Sequence, residues 1–253
     1  MGRELLQALG RNPDFQVVGA VDVRAPAFPL PAGHEATLYS PHLEEVLEKG
    51  KPQVIADFSV AEATRALVPV ATRKGVNLVI GTTGLTPHDL EVFDRLSREA
   101  GVGVVGAPNF ALGAVVMNHL AQLAARYFDY AEIIEMHHHE KVDAPSGTAL
   151  ATARAMARAR GKPFLHPAAH KENLPGTRGG ELEGIALHSM RLPGLMAHQQ
   201  IIFGAPGQTL SIRHDAISRE CFMPGILLAI KSVVGLKGLV WGLDRLLGLE
   251  TEP

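Results

Sequence analysis

The densest group of ionisable side chains in this chain lies in the segment HHHEKVDAPSGT, residues 137–148. Histidine can donate or accept a proton near neutral pH, and Lys141 adds a positive charge. Ser146 suits the N-cap of the helix-forming run that follows. Gly147 and Thr148 would then offer backbone N–H groups at the positive end of a helix. The segment therefore predicts a site that binds an anion and transfers a proton.

Two other interpretations of this segment compete with that site. If residues 131–138 form a strand, His137 and His139 share one face and His138 points to the other. The three histidines then cannot all ligate one metal ion, so we expect no metal site. A surface loop with solvated charges and an ordinary helix cap fits the same residues, and composition and pattern alone leave that interpretation open.

The elements that must position this segment begin with four short apolar runs, which predict strands at 16–22, 54–59, 77–84 and 102–110. Helical patterns accompany them at 3–10, 61–75 and 86–101. Strands that are apolar throughout and alternate with helices are typical of a parallel sheet covered on both faces. We therefore expect a Rossmann-like, doubly wound α/β domain.

The pattern changes after residue 110. A helix at 111–128 and a strand at 131–138 lead into the charged segment, and a second helix runs from 146 to 161. A Gly- and Pro-rich loop, 162–184, precedes three predicted strands at 185–192, 198–204 and 208–216, of which the last two form a hairpin. We expect a second, α+β domain at 111–217, with 1–110 and 218–253 forming the dinucleotide-binding domain.

The bulk composition narrows the class of protein. The net charge is −2 over 253 residues, so nothing suggests a nucleic-acid partner. Cys221 is the one cysteine, which excludes an internal disulfide, and we interpret it as a packing residue. No apolar run approaches the roughly 20 residues of a membrane span, and the first residues do not form a signal peptide. We expect a cytoplasmic protein with no membrane partner.

The segment from His137 to Ala149 closely resembles the signature of the dihydrodipicolinate (4-hydroxy-tetrahydrodipicolinate) reductase family, E-x-H-H-x-x-K-x-D-A-P-S-G-T-A. Other stretches match in order, namely IADFS (55–59), IGTTG (80–84), APNFALG (107–113), RLPG (191–194) and IRHDAISRECFMPG (212–225). The resemblance covers essentially the whole chain. It implies NADH- or NADPH-dependent reduction of a cyclic imine dicarboxylate, made from pyruvate and aspartate semialdehyde, to tetrahydrodipicolinate in the diaminopimelate route to lysine.

The resemblance also implies roles for residues of the charged segment. By motif position, His137 is the proton donor and acceptor and Lys141 the second donor. The implied substrate contacts are His138, Ser146, Gly147 and Thr148, the last two through backbone N–H groups to a carboxylate. A substrate with two carboxylates would explain why donors and cations are concentrated here.

Further residues are implied to bind the cofactor, namely Gly81, Thr82, Thr83, Ala107, Pro108, Asn109, Phe110 and Arg219. Asp22 should bind the adenosine ribose hydroxyls, and an acid there favours NAD, whereas NADP requires a nearby cation. Val23 stands where some family members have arginine, and Arg24 follows it. We expect either NADH or NADPH to serve. Taken singly, these residues also suit structural roles as turn glycines, a strand-end acid and a helix cap.

One departure from the family pattern concerns the first residues. The family begins with a strand and a turn of the form G-x-x-G-R-M-G, whereas MGREL here matches only the end of that turn. Gly2 lies 20 residues before Asp22, the spacing expected between this turn and the ribose acid. We expect an unfilled central slot with two exposed strand edges and weak cofactor binding. Tight, stoichiometric NADH binding in calorimetry would contradict this expectation.

Two rival functions remain open from the residues alone. A related reductase of another amino-dicarboxylate would lack the HHxxKxDAPSGTA segment. A cofactor-impaired, non-catalytic homologue would show no turnover. The resemblance also implies a homotetramer assembled through the middle sheet, and closure of the two domains about hinges near 108–112 and 216–219.

Overall fold

The computed structural model describes residues 1–25, 30–31, 33–34 and 37–249, which divide into two compact units. The first contains Met1–Leu112 and Phe222–Leu247, and the second contains Gly113–Cys221. Residues 250–253 of the predicted 218–253 segment lie outside the described residues. Over the described part of the chain, every helix is too short or too polar to cross a membrane.

The first unit alternates strands and helices, numbered in chain order over both units. Its strands are β1 (Gly19–Val21), β2 (Leu38–Ser40), β3 (Val54–Asp57), β4 (Asn77–Ile80), β5 (Gly103–Gly106) and β11 (Gly238–Trp241). Its helices are α1 (Gly2–Gly10), α2 (Leu43–Gly50), α3 (Ala61–Arg73), α4 (Pro87–Ala100), α7 (Met223–Val233) and α8 (Leu243–Leu246). A 3₁₀ turn at Arg219–Phe222, which begins in the second unit, precedes α7. The expected α/β class is confirmed.

Four of these strands form a parallel sheet in the order β11-β5-β4-β3. Leu78 and Ile80 of β4 pack with Val68 of α3 and Phe93 of α4. Val79 points to the other face because strand side chains alternate, and it is fully buried. Helix α7 contacts β3, β4 and β5. A strand covered on both faces needs apolar residues at every position, which explains the continuous apolar runs.

The strand predicted at 16–22 is shorter than expected, and its pairing was not predicted. Strand β1 pairs in parallel with β2 alone, and β3 pairs with β4 alone, among the described residues. The described strands of this unit therefore form two sheets, and β1 and β3 each keep one unpaired edge, which agrees with the expected unfilled slot. Sequence patterns predicted neither β2, α2 nor β11.

Helix α4 begins where its sequence predicts, at a reciprocal cap. The Thr86 hydroxyl accepts the backbone N–H of Asp89 at 3.2 Å, and the Asp89 carboxylate accepts the backbone N–H of Thr86 at 2.7 Å. Arg65 of α3 donates to both carboxylate oxygens of Asp89, at 2.8 and 2.9 Å. The Arg65 hydrogen bonds, with the Thr86 N–H, hold the pKa of Asp89 well below its usual range.

Replacing Thr86 with alanine should destabilise the protein by about 0.5–2 kcal/mol, because the first turn of α4 loses its side-chain acceptor. Urea unfolding measures the change in the free energy of unfolding. Thr86→Ser keeps the hydroxyl and serves as the control. Equal stability of the alanine and serine variants would show that the cap contributes nothing.

The second unit is an α+β structure with a mixed sheet. Its strands are β6 (Tyr130–His137), β7 (Gly180–Leu182), β8 (Ile185–Arg191), β9 (Ala197–Ala205) and β10 (Gln208–Ala216), in the order β10-β9-β6-β8-β7. Its helices are α5 (Leu112–Ala125) and α6 (Gly147–Arg160). Only β6 and β8 are parallel neighbours. The predicted hairpin is β9–β10, while the predicted loop 162–184 was wrong in part because it contains β7.

Helices α5 and α6 cover one face of this sheet. Ala131 and Ile133 of β6 point into a core that includes Met156 of α6. Side chains two residues apart on a strand share a face, so Glu135 and His137 continue this row toward the carboxyl end of β6. The strand thus carries an acid and a histidine to the covered side of the sheet.

Candidate active site

Strand β6 ends at His137, which corrects the prediction that it continues through His138. Ala197 at the start of β9 and Arg191 at the end of β8 are the strand partners of His137. After His137 the chain has no strand partner on either side. It forms a turn there, in which the Lys141 N–H donates to the His138 carbonyl at 3.2 Å. His138 and His139 are exposed, so the predicted alternation of the three histidines does not apply.

Glu135 is the buried centre of the site. Its side chain is 1% exposed, and its Oε2 lies 2.5 Å from Nδ1 of His137. Arg191 donates to both carboxylate oxygens, at 2.9 Å and 2.7 Å. The backbone N–H of Ser146 donates to Oε1 at 3.2 Å. Four donors from three separate segments therefore converge on one carboxylate.

The pKa values follow from this arrangement. Burial raises the pKa of Glu135, but hydrogen bonds from Arg191, Ser189 and His137 outweigh burial and place the pKa below its ordinary value. Burial lowers the pKa of His137, and the hydrogen bond and charge of Glu135 oppose that effect without cancelling it. The carboxylate is thus ionised, and since it can only accept, Nδ1 of His137 carries a proton. The other ring nitrogen, Nε2, is left for proton transfer.

The predicted helix start is confirmed at α6. The Ser146 hydroxyl accepts the backbone N–H of Ala149 at 3.1 Å, and the helix ends at Gly161 in the left-handed conformation. Gly147 and Thr148 are the first helical residues, and their N–H groups have no acceptor within the helix. Both residues are exposed. Such exposed N–H groups at a helix start are suited to an anion, and anion binding here stays a prediction.

The loop between β6 and α6 is held by two cations. Lys141 Nζ donates to Asp143 Oδ1 at 2.6 Å, and this contact lowers the pKa of Asp143. The guanidinium of Arg191 donates to the backbone carbonyl of Asp143 at 2.7 Å. Arg191 therefore ties the loop to the carboxylate of Glu135, and the ammonium of Lys141 is paired with Asp143, three residues before the N-cap of α6.

Sequence reasoning missed both Glu135 and Arg191 as functional residues. Two signals for Glu135 were available, namely its spacing of two residues before His137 on a predicted strand and the leading E of the pattern E-x-H-H, which falls on it. RLPG, which contains Arg191, was matched to the family without a role. Among residues 1–25, 30–31, 33–34 and 37–249, no three His, Cys, Asp or Glu side chains form a group that could hold a metal ion.

The predicted cofactor residues of the first unit lie at the carboxyl ends of β4 and β5. Gly81–Thr83 follow β4 and Ala107–Phe110 follow β5, and these strands are parallel neighbours. The carboxyl edge of a parallel sheet is where open α/β folds bind ligands. The structure therefore brings these two stretches to one edge of the first unit.

Both backbone atoms and side chains line this edge. A Cβ on Gly81 would lie 2.0 Å from the ring of Phe58, so only glycine fits there. The Thr82 side chain is buried, and its hydroxyl donates to Asp57 at 3.2 Å. Thr83 and Pro108 are exposed. Such a glycine turn beside exposed residues suits a nucleotide laid against the strand ends.

Residues 107–110, which follow β5, are held in place by contacts with the protein core and with the neighbouring backbone. Phe110 is buried and packs edge-on against Phe58, with ring centroids 5.9 Å apart. Ala107 is also buried, so its side chain is closed to a ligand. The Asn109 side chain accepts the backbone N–H of Ala111 at 2.9 Å. Because α5 begins at Leu112, this bond closes a turn before the helix, and the possible role of Asn109 as a helix N-cap was wrong.

The last two predicted cofactor residues belong to other elements. Asp22 follows β1 and accepts the backbone N–H of Arg24 at 2.9 Å and its Nε at 3.2 Å. These Arg24 contacts lower the pKa of Asp22. Acid and cation thus stand together after β1. Arg219 lies in the 3₁₀ turn before α7, in the second unit.

Two family models match this chain. "Dihydrodipicolinate reductase, N-terminus" matches residues 1–110, and "Dihydrodipicolinate reductase, C-terminus" matches residues 113–247. The 4-hydroxy-tetrahydrodipicolinate reductase of Dehalococcoides mccartyi is 53% identical over 98% of this chain and 95% of its own length. That of Moorella thermoacetica is 48% identical over 98% and 94%.

A solved structure agrees with these relatives. The dipicolinate-bound dihydrodipicolinate reductase from Paenisporosarcina superposes with a TM-score of 0.88 at 38% identity, covering 96% of this chain and 94% of that one. Both family models, the relatives and this structure therefore indicate the same family. The chain belongs to the dihydrodipicolinate reductase family.

Proposed function

We propose that this protein reduces 4-hydroxy-tetrahydrodipicolinate to tetrahydrodipicolinate with NADH or NADPH, in the diaminopimelate route to lysine. Relatives of 43–53% identity over nearly the whole chain carry this activity in their names. The observation in this chain that supports it most is the meeting of His137, its buried partner Glu135 and the start of α6. A proton carrier and an anion site thus occupy one corner of the second unit.

The substrate is a ring with two carboxylates, and the site offers donors for them. The N–H groups of Gly147 and Thr148 at the start of α6 bind one carboxylate, aided by the helix dipole. Lys141 and His138 supply positive charge and hydrogen bonds for the rest of the ring. Ser146 holds the helix start in place. The Paenisporosarcina relative binds dipicolinate, a planar ring that also has two carboxylates.

The reaction eliminates the ring hydroxyl together with a hydrogen of a neighbouring ring carbon as water, and it adds one hydride and one proton to the ring. The reduced nicotinamide, when bound, supplies the hydride. His137 holds the proton at Nε2, because Nδ1 is engaged by Glu135. Lys141 neutralises negative charge on the substrate and is the second donor. The assignment of these roles to His137 and Lys141 is part of the proposal.

The cofactor is proposed to lie along the carboxyl edge of β4 and β5. Gly81, Thr82 and Thr83 and the stretch Ala107, Pro108, Asn109 and Phe110 would hold it there. Because Thr82, Ala107 and Phe110 have buried side chains, their contacts would be made by backbone atoms. Asp22 would bind the ribose hydroxyls, and Arg24 beside it offers a cation for a 2′-phosphate. Arg219 remains a proposed cofactor contact.

A coupled assay tests the function. Substrate would be generated in place from pyruvate and aspartate semialdehyde by the preceding enzyme, and absorbance at the reduced-nicotinamide band would be followed. We expect NADH or NADPH to be oxidised only when both the generated substrate and this protein are present. Absence of turnover, with NADH binding shown by calorimetry, would overturn the proposed activity in favour of a non-catalytic homologue.

We also propose a cytoplasmic homotetramer that assembles through the sheet of the second unit. The sheet face opposite α5 and α6, which we call the open face, carries Ile134, Met190 and Ile202 among polar side chains. Met190 is 41% exposed, and no helix of the second unit packs on this row. An apolar row of this kind is suited to a copy of the same face.

Ile202→Asp should break the proposed tetramer into smaller species, because four copies would bury an unpaired charge. Light scattering coupled to size-exclusion chromatography measures the mass. Val234→Asp places the same charge on an exposed residue of the first unit and is the control. An unchanged mass for the Ile202 variant would exclude the open face as the assembly surface.

A further inference from the structure

Glu135, to which the family resemblance assigns no role, is an ionised carboxylate buried on β6. Such a group is costly to bury unless it is paired and fully hydrogen-bonded. Its two oxygens meet donors on every side, namely His137, Ser146, Ser189 and two nitrogens of Arg191. The fold thus keeps a buried charge at a position where an apolar side chain would have no such desolvation cost.

The contacts of Glu135 are divided between its two oxygens. Oε1 accepts from Ser146 and one nitrogen of Arg191, and Oε2 accepts from the other nitrogen of Arg191 and from His137. Arg191 supplies the positive charge that keeps the carboxylate ionised, and Ser146 fixes it from the start of α6. These contacts hold the carboxylate in place, and Oε2 lies 2.5 Å from Nδ1 of His137.

We propose that Glu135 is a positioning residue that fixes the tautomer and ring orientation of His137, so that Nε2 is the atom that exchanges a proton with substrate. This inference rests on the proposed function. A carboxylate accepts but cannot donate, so Nδ1 must hold a hydrogen in both the neutral and the charged ring. Glu135 itself touches neither substrate nor cofactor. Arg191 acts one step further away, by holding Glu135.

The charged groups that act on His137 are Glu135 on its own strand, Lys141 on the following loop and Arg191 on β8. Glu135 favours the protonated ring, and the two cations oppose it. Removing the negative charge while both cations stay must therefore make the protonated ring less stable. The histidine would lose its proton at a lower pH.

Glu135→Gln is the first test. The amide keeps the shape of the side chain, but with Arg191 donating to its oxygen, its NH₂ group faces Nδ1 and donates to it. The neutral ring must then carry its proton on Nε2. We expect kcat to fall by about 10²-fold or more, with KM within a few-fold, and the alkaline limb of the kcat–pH profile to move to lower pH.

The ring nitrogens give a readout independent of turnover. In ¹⁵N-histidine spectra, the signal of His137, assigned by its loss in His137→Gln, should report the Nδ1–H tautomer in the native protein. In Glu135→Gln it should report Nε2–H and titrate at lower pH. Unchanged tautomer and titration would overturn the proposal. Because this experiment needs no substrate, an inactive native enzyme would count against the proposed function and leave this test intact.

A double variant separates positioning from a merely structural role. In a His137→Gln background, Glu135→Gln should reduce kcat by less than about twofold, because residues that act as a unit are not additive. A full loss in that background would show that Glu135 acts on the site by another route and would overturn the proposal.

The control is Asp129→Asn, at the other end of β6. Asp129 pairs with Arg160, whose side chain is 4% exposed, so this change also takes a carboxylate from a buried arginine. Its kcat and the His137 spectrum should match the native protein. If Glu135→Gln alone fails to fold, Glu135→Gln with Arg191→Gln removes both buried charges. The same switch to the Nε2–H tautomer is then expected, and its absence would overturn the proposal.

Discussion

His137→Ala is expected to lower kcat by about 10²–10⁴-fold, the usual contribution of a positioned acid–base group, with KM changed only a few-fold. The ring donates a proton during the chemical step and contributes little to holding the carboxylates, which the start of α6 and Lys141 bind. Steady-state rates with substrate generated in place measure both constants. Unchanged turnover would remove His137 from the catalytic role.

The pH dependence gives the same residue a second test. Burial lowers the pKa of His137 more than Glu135 raises it, so the protonated donor is depleted as pH rises through that lowered pKa. The kcat of the native enzyme should therefore fall on the alkaline side of this pKa. In His137→Ala that limb should vanish, while any limb due to other groups remains. A native profile that rises with pH over this range would contradict a donor role.

Lys141→Ala should damage both constants, lowering kcat/KM by about 10²–10³-fold in total. The ammonium makes a charge-assisted contact worth roughly 1.5–3 kcal/mol, and its charge is needed both when substrate binds and when the proton is transferred. Its loss also leaves Asp143, whose Oδ1 lies 2.6 Å from Nζ, without that partner. An anionic Asp143 near the substrate carboxylates would then repel them.

A second substitution separates these two effects. In Lys141→Ala with Asp143→Asn the repulsion is gone, so KM should recover in part while kcat stays low. Lys141→Arg retains the charge but not the compact ammonium, and it should restore KM more than kcat. A Lys141→Ala enzyme with native kcat and a raised KM would limit Lys141 to binding.

Local signals in the sequence were sufficient for much of the fold. The start of α4 was readable because Thr86, Pro87 and the helix pattern act over four residues, and the end was readable from Gly101. The start of α6 at Ser146 is the same kind of signal. Strands β4 and β5 were readable because a strand buried on both faces is apolar at every position.

Long-range pairing was not readable from local signals. Strand β11 joins β5 across more than 130 residues, and three-residue strands such as β2 carry too little pattern to be recognised. In the site, the sequence predicted the helix start at Ser146, and anion binding there stays a prediction. The contact between Glu135 and Arg191, 56 residues apart, depends on the parallel pairing of β6 with β8, which no local pattern encodes.

The first unit consists of two segments of the chain, one before and one after the second unit in the sequence, and this order matters during synthesis. Helix α7 and strand β11 complete the sheet begun by β3, β4 and β5, yet all of Gly113–Cys221 is translated in between. At about 5–20 residues per second, the ribosome needs roughly 5–20 s to make that stretch. During this interval the second unit can fold while the apolar face of β3–β5 still awaits α7. Chaperone binding to nascent chains should therefore be strongest in this window and end once α7 emerges.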